Sequence, residues 1–133
     1  TRLACLLFAY CERHAIGQVV GPGAVPFGEN EVQPDVEVIP NTASPLPEKW
    51  DDLPLPILVV EILSGSTRRR DLGDKRSAYI DLDIPEYWIV DRHARDVTVV
   101  RPGCEDHLVK DTLRWQPREN IPALEITLKE LFS

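Results

Sequence analysis

The chain contains no methionine, and its 3 cysteines and 3 histidines are scattered. Cys5, Cys11 and Cys104 are odd in number and show no CxxC spacing, which argues against a disulfide framework and against a zinc knuckle. His14, His93 and His107 lie far apart in sequence, so a histidine-based metal site is not indicated. Long hydrophobic runs are missing too: none approaches the roughly 20 residues that span a bilayer. The opening stretch Leu3–Tyr10 is too short for a span. No small-residue cleavage site follows it, and Glu12, Arg13 and His14 fit an amphipathic helix better than a signal peptide. A cytoplasmic protein without membrane contact is expected. A chain that lacks methionine and opens inside a helical pattern is also expected to lack an N-terminal segment.

Positive charge is in short supply. Lysine and arginine number 15 against 22 acidic residues, a net charge of -7. That balance counts against non-specific DNA binding, whose affinity comes largely from neutralising phosphates. It does not exclude a nuclease, because a metal site needs carboxylates and a local basic patch can steer DNA. The densest basic run is Arg68-Arg69-Arg70, which suits a phosphate contact or equally the solvated first turn of a helix. No glycine-rich phosphate loop and no serine or cysteine triad pattern is present.

What remains is a chain of 133 residues, 43% hydrophobic and 28% charged, expected to form one domain over 1–133 with a modest core. A helix is read over about 2–14, with Leu3, Leu6, Leu7 and Tyr10 on one face. A short strand at 18–20 follows, with Ala24–Phe27 as its hairpin partner. Another strand covers Asp35–Ile39. Residues 40–56 are rich in proline and acidic groups and read as a loop. The most apolar strand-like run, 57–63, comes next, and Ser66 or Thr67 would cap a helix over about 68–82. Strands at 86–91 and 97–101, a weaker one near 107–110, and a final strand leading into one helical turn complete the pattern. The alternation predicts an α/β fold in which a mixed sheet is flanked by helices.

Glu61 is the anomaly in this pattern. It sits within Ile57-Leu58-Val59-Val60-Glu61-Ile62-Leu63, a run suited to a strand buried on both faces, where a carboxylate is costly unless compensated. Side chains alternate along a strand, so Asp35 and Glu37 share one face, and Asp35 and Glu61 would converge if their strands are neighbours. Two hard oxygen ligands with waters suit Mg²⁺ or Mn²⁺, which can polarise a phosphoryl oxygen and activate a water. Asp71, Lys75 and Tyr79 recur every four residues and line one helix face, so Lys75 could reach the carboxylates. Each signal alone has an ordinary explanation: Pro34-Asp35 as a turn dipeptide, Lys75 and Asp71 as a surface pair, Glu61 as a solvated strand end. The Tyr87-Trp88 pair is read as core.

Taken in order, Pro34-Asp35-Val36, Leu58-Val59-Val60-Glu61-Ile62-Leu63-Ser64, Arg70-Asp71-Leu72-Gly73-Asp74-Lys75-Arg76, Tyr79 and Pro85-Glu86-Tyr87-Trp88-Ile89-Val90-Asp91 resemble the Uma family of restriction-endonuclease-like proteins, from about residue 17 onward. These are similar to the PD-(D/E)XK nuclease superfamily. The resemblance implies a divalent-metal-dependent endonuclease acting on DNA. Asp35 and Glu61 would be the metal carboxylates, the Ile62 backbone carbonyl a further ligand, and Lys75 the catalytic lysine. The usual superfamily lysine stands two residues after the glutamate, where this chain has Leu63, so the lysine would come from the following helix. Asp83 stands where relatives have glycine after that helix. Small nucleases of this kind often form homodimers. The alternatives are an inactive module of the same fold that binds nucleic acid or a protein partner, or a homodimeric interaction module.

Overall fold

Every second residue of the central strands turns to the same side, and that alternation splits the chain between two faces of one sheet. The computed structural model describes residues 2–21, 25–27, 30–32, 35–41, 54–63 and 69–133. In chain order its elements are α1 (Arg2–His14), β1 (Gly17–Val20), β2 (Val25–Phe27), β3 (Asn30–Val32), β4 (Val36–Pro40), β5 (Leu58–Leu63), α2 (Arg69–Asp81), β6 (Tyr87–Asp91), β7 (Asp96–Val100), β8 (His107–Val109), β9 (Thr112–Trp115), β10 (Leu124–Thr127) and α3 (Leu128–Leu131). A six-stranded mixed sheet runs β1-β4-β5-β6-β7-β8. Its neighbours are antiparallel except β5 and β6, which are parallel and joined by α2, since a parallel pair requires a crossover.

Val36, Val38, Leu58, Val60, Trp88, Val90, Val97 and Val99 face α1, where Leu3, Leu7, Tyr10 and Cys11 meet them. Leu113 and Trp115 of β9, with Ile126 and Leu128 near the C-terminus, close the same core. Val59, Tyr87 and Val100 face the other way and pack with Tyr79 and Ile84, a smaller core beneath α2. Asp35, Glu37 and Glu61 belong to this second face by the same alternation. Tyr87 and Trp88 are both core residues, as expected, but on opposite faces.

Three expectations need correction. Ala24–Phe27 was expected to pair with the first strand, but β1 pairs with β4, from Gly17↔Pro40 to Val20↔Glu37, and the described part, β2, pairs with β3. Gly17 permits this, because a Cβ there would overlap the Ile39 carbonyl oxygen. β9 was not anticipated, although Thr112, Leu113, Arg114 and Trp115 alternate exposed and buried as half-buried strands do. The strand expected from Asp35 begins at Val36. Most of the expected loop and the Ser66 or Thr67 cap lie outside the described residues.

Both long helices end on a non-glycine residue in the left-handed region. Ala15 has φ 52° and Asp83 φ 57°. Ile16 N–H donates to Cys11 and Ala15 N–H to Glu12 after α1; Ile84 donates to Tyr79 and Asp83 to Ile80 after α2. These are Schellman pairs, which satisfy the last helical carbonyls.

Candidate functional site

The site forms where β4 ends against β5. The last paired rung is Val36↔Val60, so the next places Asp35 opposite Glu61, with both side chains on the α2 face. The Asp35 N–H still donates to the Val60 carbonyl at 3.0 Å. Beyond it the ladder gives way to a side chain: Ile62 N–H donates to Asp35 Oδ2 at 2.7 Å. This bond holds one oxygen of Asp35 in place and satisfies a β5 donor that has run out of strand partner.

Glu61 is only 3% exposed. A carboxylate in that position needs partners, and α2 supplies two. Lys75 Nζ donates to Oε2 at 3.2 Å, and the Tyr79 hydroxyl donates to Oε1 at 2.9 Å. The four-residue spacing on α2 brings both onto the same carboxylate. Burial raises the Glu61 carboxyl above its ordinary pKa, the Tyr79 and Lys75 contacts pull it back, and the Asp35 charge adds a smaller upward push. Burial, helped by Glu61, pushes the Tyr79 phenol far upward, so it stays a donor.

Leu63 follows Glu61 on the same face and lines a cleft of about 450 Å³ that continues over β6, β7 and β8. Its wall carries Asp91, Asp96 and the Arg76–Asp106 ion pair. Asp91 and Asp96 face each other on the last β6–β7 rung. Among the described residues no three His, Cys, Asp or Glu side chains cluster closely enough to form a metal site. Among the described residues the oxygen donors near the β4–β5 end include the carboxylates of Asp35 and Glu61. That set fits Mg²⁺ or Mn²⁺, which keep several waters and need only one or two protein carboxylates.

Asp35, Glu61, Ile62 and Lys75 are therefore brought together at one end of the sheet. Arg68 lies outside the described residues, as do the side chains of Arg69, Arg70 and Asp71. Two buried acids were not picked out from the sequence. Glu37 is 1% exposed, and its Oε2 has no partner among the described residues. Glu86 is held by Arg101 at 2.6 Å and by the Trp88 indole N–H at 2.9 Å. The spacing of Glu37 from Asp35 showed that they share a face, but nothing in the sequence showed how deep that face is buried.

The two carboxylates thus sit where β4 meets the central strand β5 of a mixed α/β sheet. Among solved structures the fold matches the crystal structure titled "a putative nuclease belonging to DUF820" from Anabaena variabilis ATCC 29413, with a TM-score of 0.75 and 18% identity, over 98% of this chain and 76% of that one. The chain belongs to the Uma2 family, described as "Putative restriction endonuclease", whose model matches residues 1–129. No curated protein matches the chain.

Proposed function

We propose that the chain hydrolyses phosphodiester bonds in DNA as a divalent-metal-dependent endonuclease. Asp35, Glu61 and the Ile62 carbonyl would hold Mg²⁺ or Mn²⁺, and Lys75 would act as the catalytic lysine. The observation that carries this reading is the convergence on Glu61. A lysine from α2 lies 3.2 Å from its carboxylate, and register places Asp35 on the facing rung. A bound divalent cation supplies charge to polarise a phosphoryl oxygen and acidify a water. The residues do the rest. Lys75, about a third exposed, can swing its ammonium between Glu61 and an incoming water or phosphate. Tyr79 and the Ile62 N–H keep the two carboxylates from turning away while it does so.

The Glu61–Lys75 pair also supports a second reading, an inactive nuclease-fold module in which it is a structural ion pair. Both Glu61 oxygens already have partners within the chain, and the net charge of -7 works against unaided DNA binding. Cleavage of supercoiled plasmid and of single-stranded DNA with Mn²⁺ decides between them. The endonuclease reading expects cutting by the parent that Glu61→Ala and Lys75→Ala each reduce at least about 100-fold. A folded parent that cuts neither substrate favours the inactive module. Cutting that survives Glu61→Ala places the chemistry elsewhere.

A further inference from the structure

We propose that Tyr79 is a positioning residue, which fixes the Glu61 carboxylate from its buried side so that its other oxygen is presented to a divalent cation. This deepens the metal-nuclease reading and rests on it.

A glutamate's last torsion is broad and two-fold, so the strand backbone alone does not decide which oxygen faces the site. Here each oxygen is assigned. Oε1 takes the Tyr79 hydroxyl at 2.9 Å inside the protein. Oε2 faces α2 and Lys75, whose partly exposed side chain can move away from it. Asp35 is treated the same way, with Oδ2 held by a backbone N–H. Each carboxylate is thus anchored through one oxygen, with further lone pairs left for a metal.

Tyr79 is built for this task. It is 1% exposed, so no solvent competes for its hydroxyl. Its ring meets Tyr87 edge-on at 4.8 Å, and Val59 and Ile84 belong to the same core, which leaves the ring little freedom. Tyr87 supplies the contrast. It is as deeply buried in the same cluster, yet its hydroxyl has no partner among the described residues. Deleting one hydroxyl therefore removes a bond to Glu61, and deleting the other removes none.

Mn²⁺ titration of the metal-free protein, followed by the electron paramagnetic resonance of free Mn²⁺, tests the idea without substrate. Hydrogen bonds to metal-ligating groups are worth about 10- to 100-fold in metal affinity. Tyr79→Phe is expected to weaken Mn²⁺ binding by about that factor, while Tyr87→Phe stays within about twofold of the parent. In cleavage, Tyr79→Phe at a fixed, subsaturating Mn²⁺ concentration should lower kcat and leave KM for DNA unchanged. A Mn²⁺ affinity in Tyr79→Phe within twofold of the parent overturns the assignment, and so does an equal loss in Tyr87→Phe. If Tyr79→Phe does not fold, the unsubstituted chain still gives an answer: Mn²⁺ saturation must produce a tyrosine ultraviolet difference band as Glu61 loses charge to the metal. Binding without that band sinks the assignment. A parent that takes up no Mn²⁺ overturns the metal reading itself, and this inference with it, whereas binding by the parent with unaltered affinity in Tyr79→Phe sinks the inference alone.

Discussion

Glu37 and Glu61 lie on one sheet face with nearly equal burial, and their partners separate them. Glu61 has a phenol and an ammonium; Glu37 Oε2 has no partner among the described residues, and burial pushes the Glu37 carboxyl up to about 7. In the unfolded chain a glutamate titrates near 4.3. Below that pH Glu37 is protonated in both states and contributes nothing. Between there and about 7 the unfolded chain ionises first, so stability falls as pH rises; above 7 the loss is complete. The total is on the order of 3 kcal/mol. Glu37→Gln cannot ionise, so urea unfolding in EDTA should show it gaining stability relative to the parent between pH 4.5 and pH 8. An equal difference at both pH values would contradict this. Glu61 stood out in the sequence as a carboxylate within an apolar run, whereas Glu37 was noted only for sharing a face with Asp35; only neighbours brought from α2 distinguish a compensated carboxylate from an uncompensated one.

Helix ends show how much local sequence decides and where it stops. The spacing of Leu3, Leu6, Leu7 and Tyr10 places α1 correctly, although Leu6 is exposed and Cys11 takes its place on the buried face, and the Asp71, Lys75, Tyr79 series places α2 to within a residue or two. The left-handed turn after α2 falls at Asp83, the position where the resemblance has glycine. The matching turn at Ala15 carried no warning, because alanine is a good helix former and a poor left-handed residue. Ala15→Gly is expected to stabilise the chain by about 1 kcal/mol, and Asp83→Gly by less, since aspartate tolerates this region better. Thermal unfolding of the two variants beside the parent checks both the sign and the order. Strand pairing was less legible than helix ends. Residues near in sequence favoured a hairpin of the first strand with 24–27, whereas β1 pairs instead with β4, where Gly17 allows close approach to the Ile39 carbonyl.

For the molecule as a whole, the candidate site joins segments from across the chain: Asp35 before β4, Glu61 and Ile62 on β5, and Lys75 and Tyr79 on α2. A cation that binds only this assembled arrangement stabilises the folded state by mass action, about 2.7 kcal/mol at a hundred times its Kd. Mn²⁺ is therefore expected to raise the Tm by several degrees, EDTA to reverse the rise, and Glu61→Ala to abolish it. A Tm indifferent to Mn²⁺ in the parent would count against a metal centre built on these residues. Period and local chemistry were enough to set the α/β alternation, most of each helix face, the core strands and the order of the family's motifs. Tertiary structure alone decided that β1 lies beside β4, that Glu37 and Glu86 are buried, and that Tyr79 joins Lys75 on Glu61. Those outcomes depend on which distant segments share a rung or a face, and a linear pattern does not encode that distance.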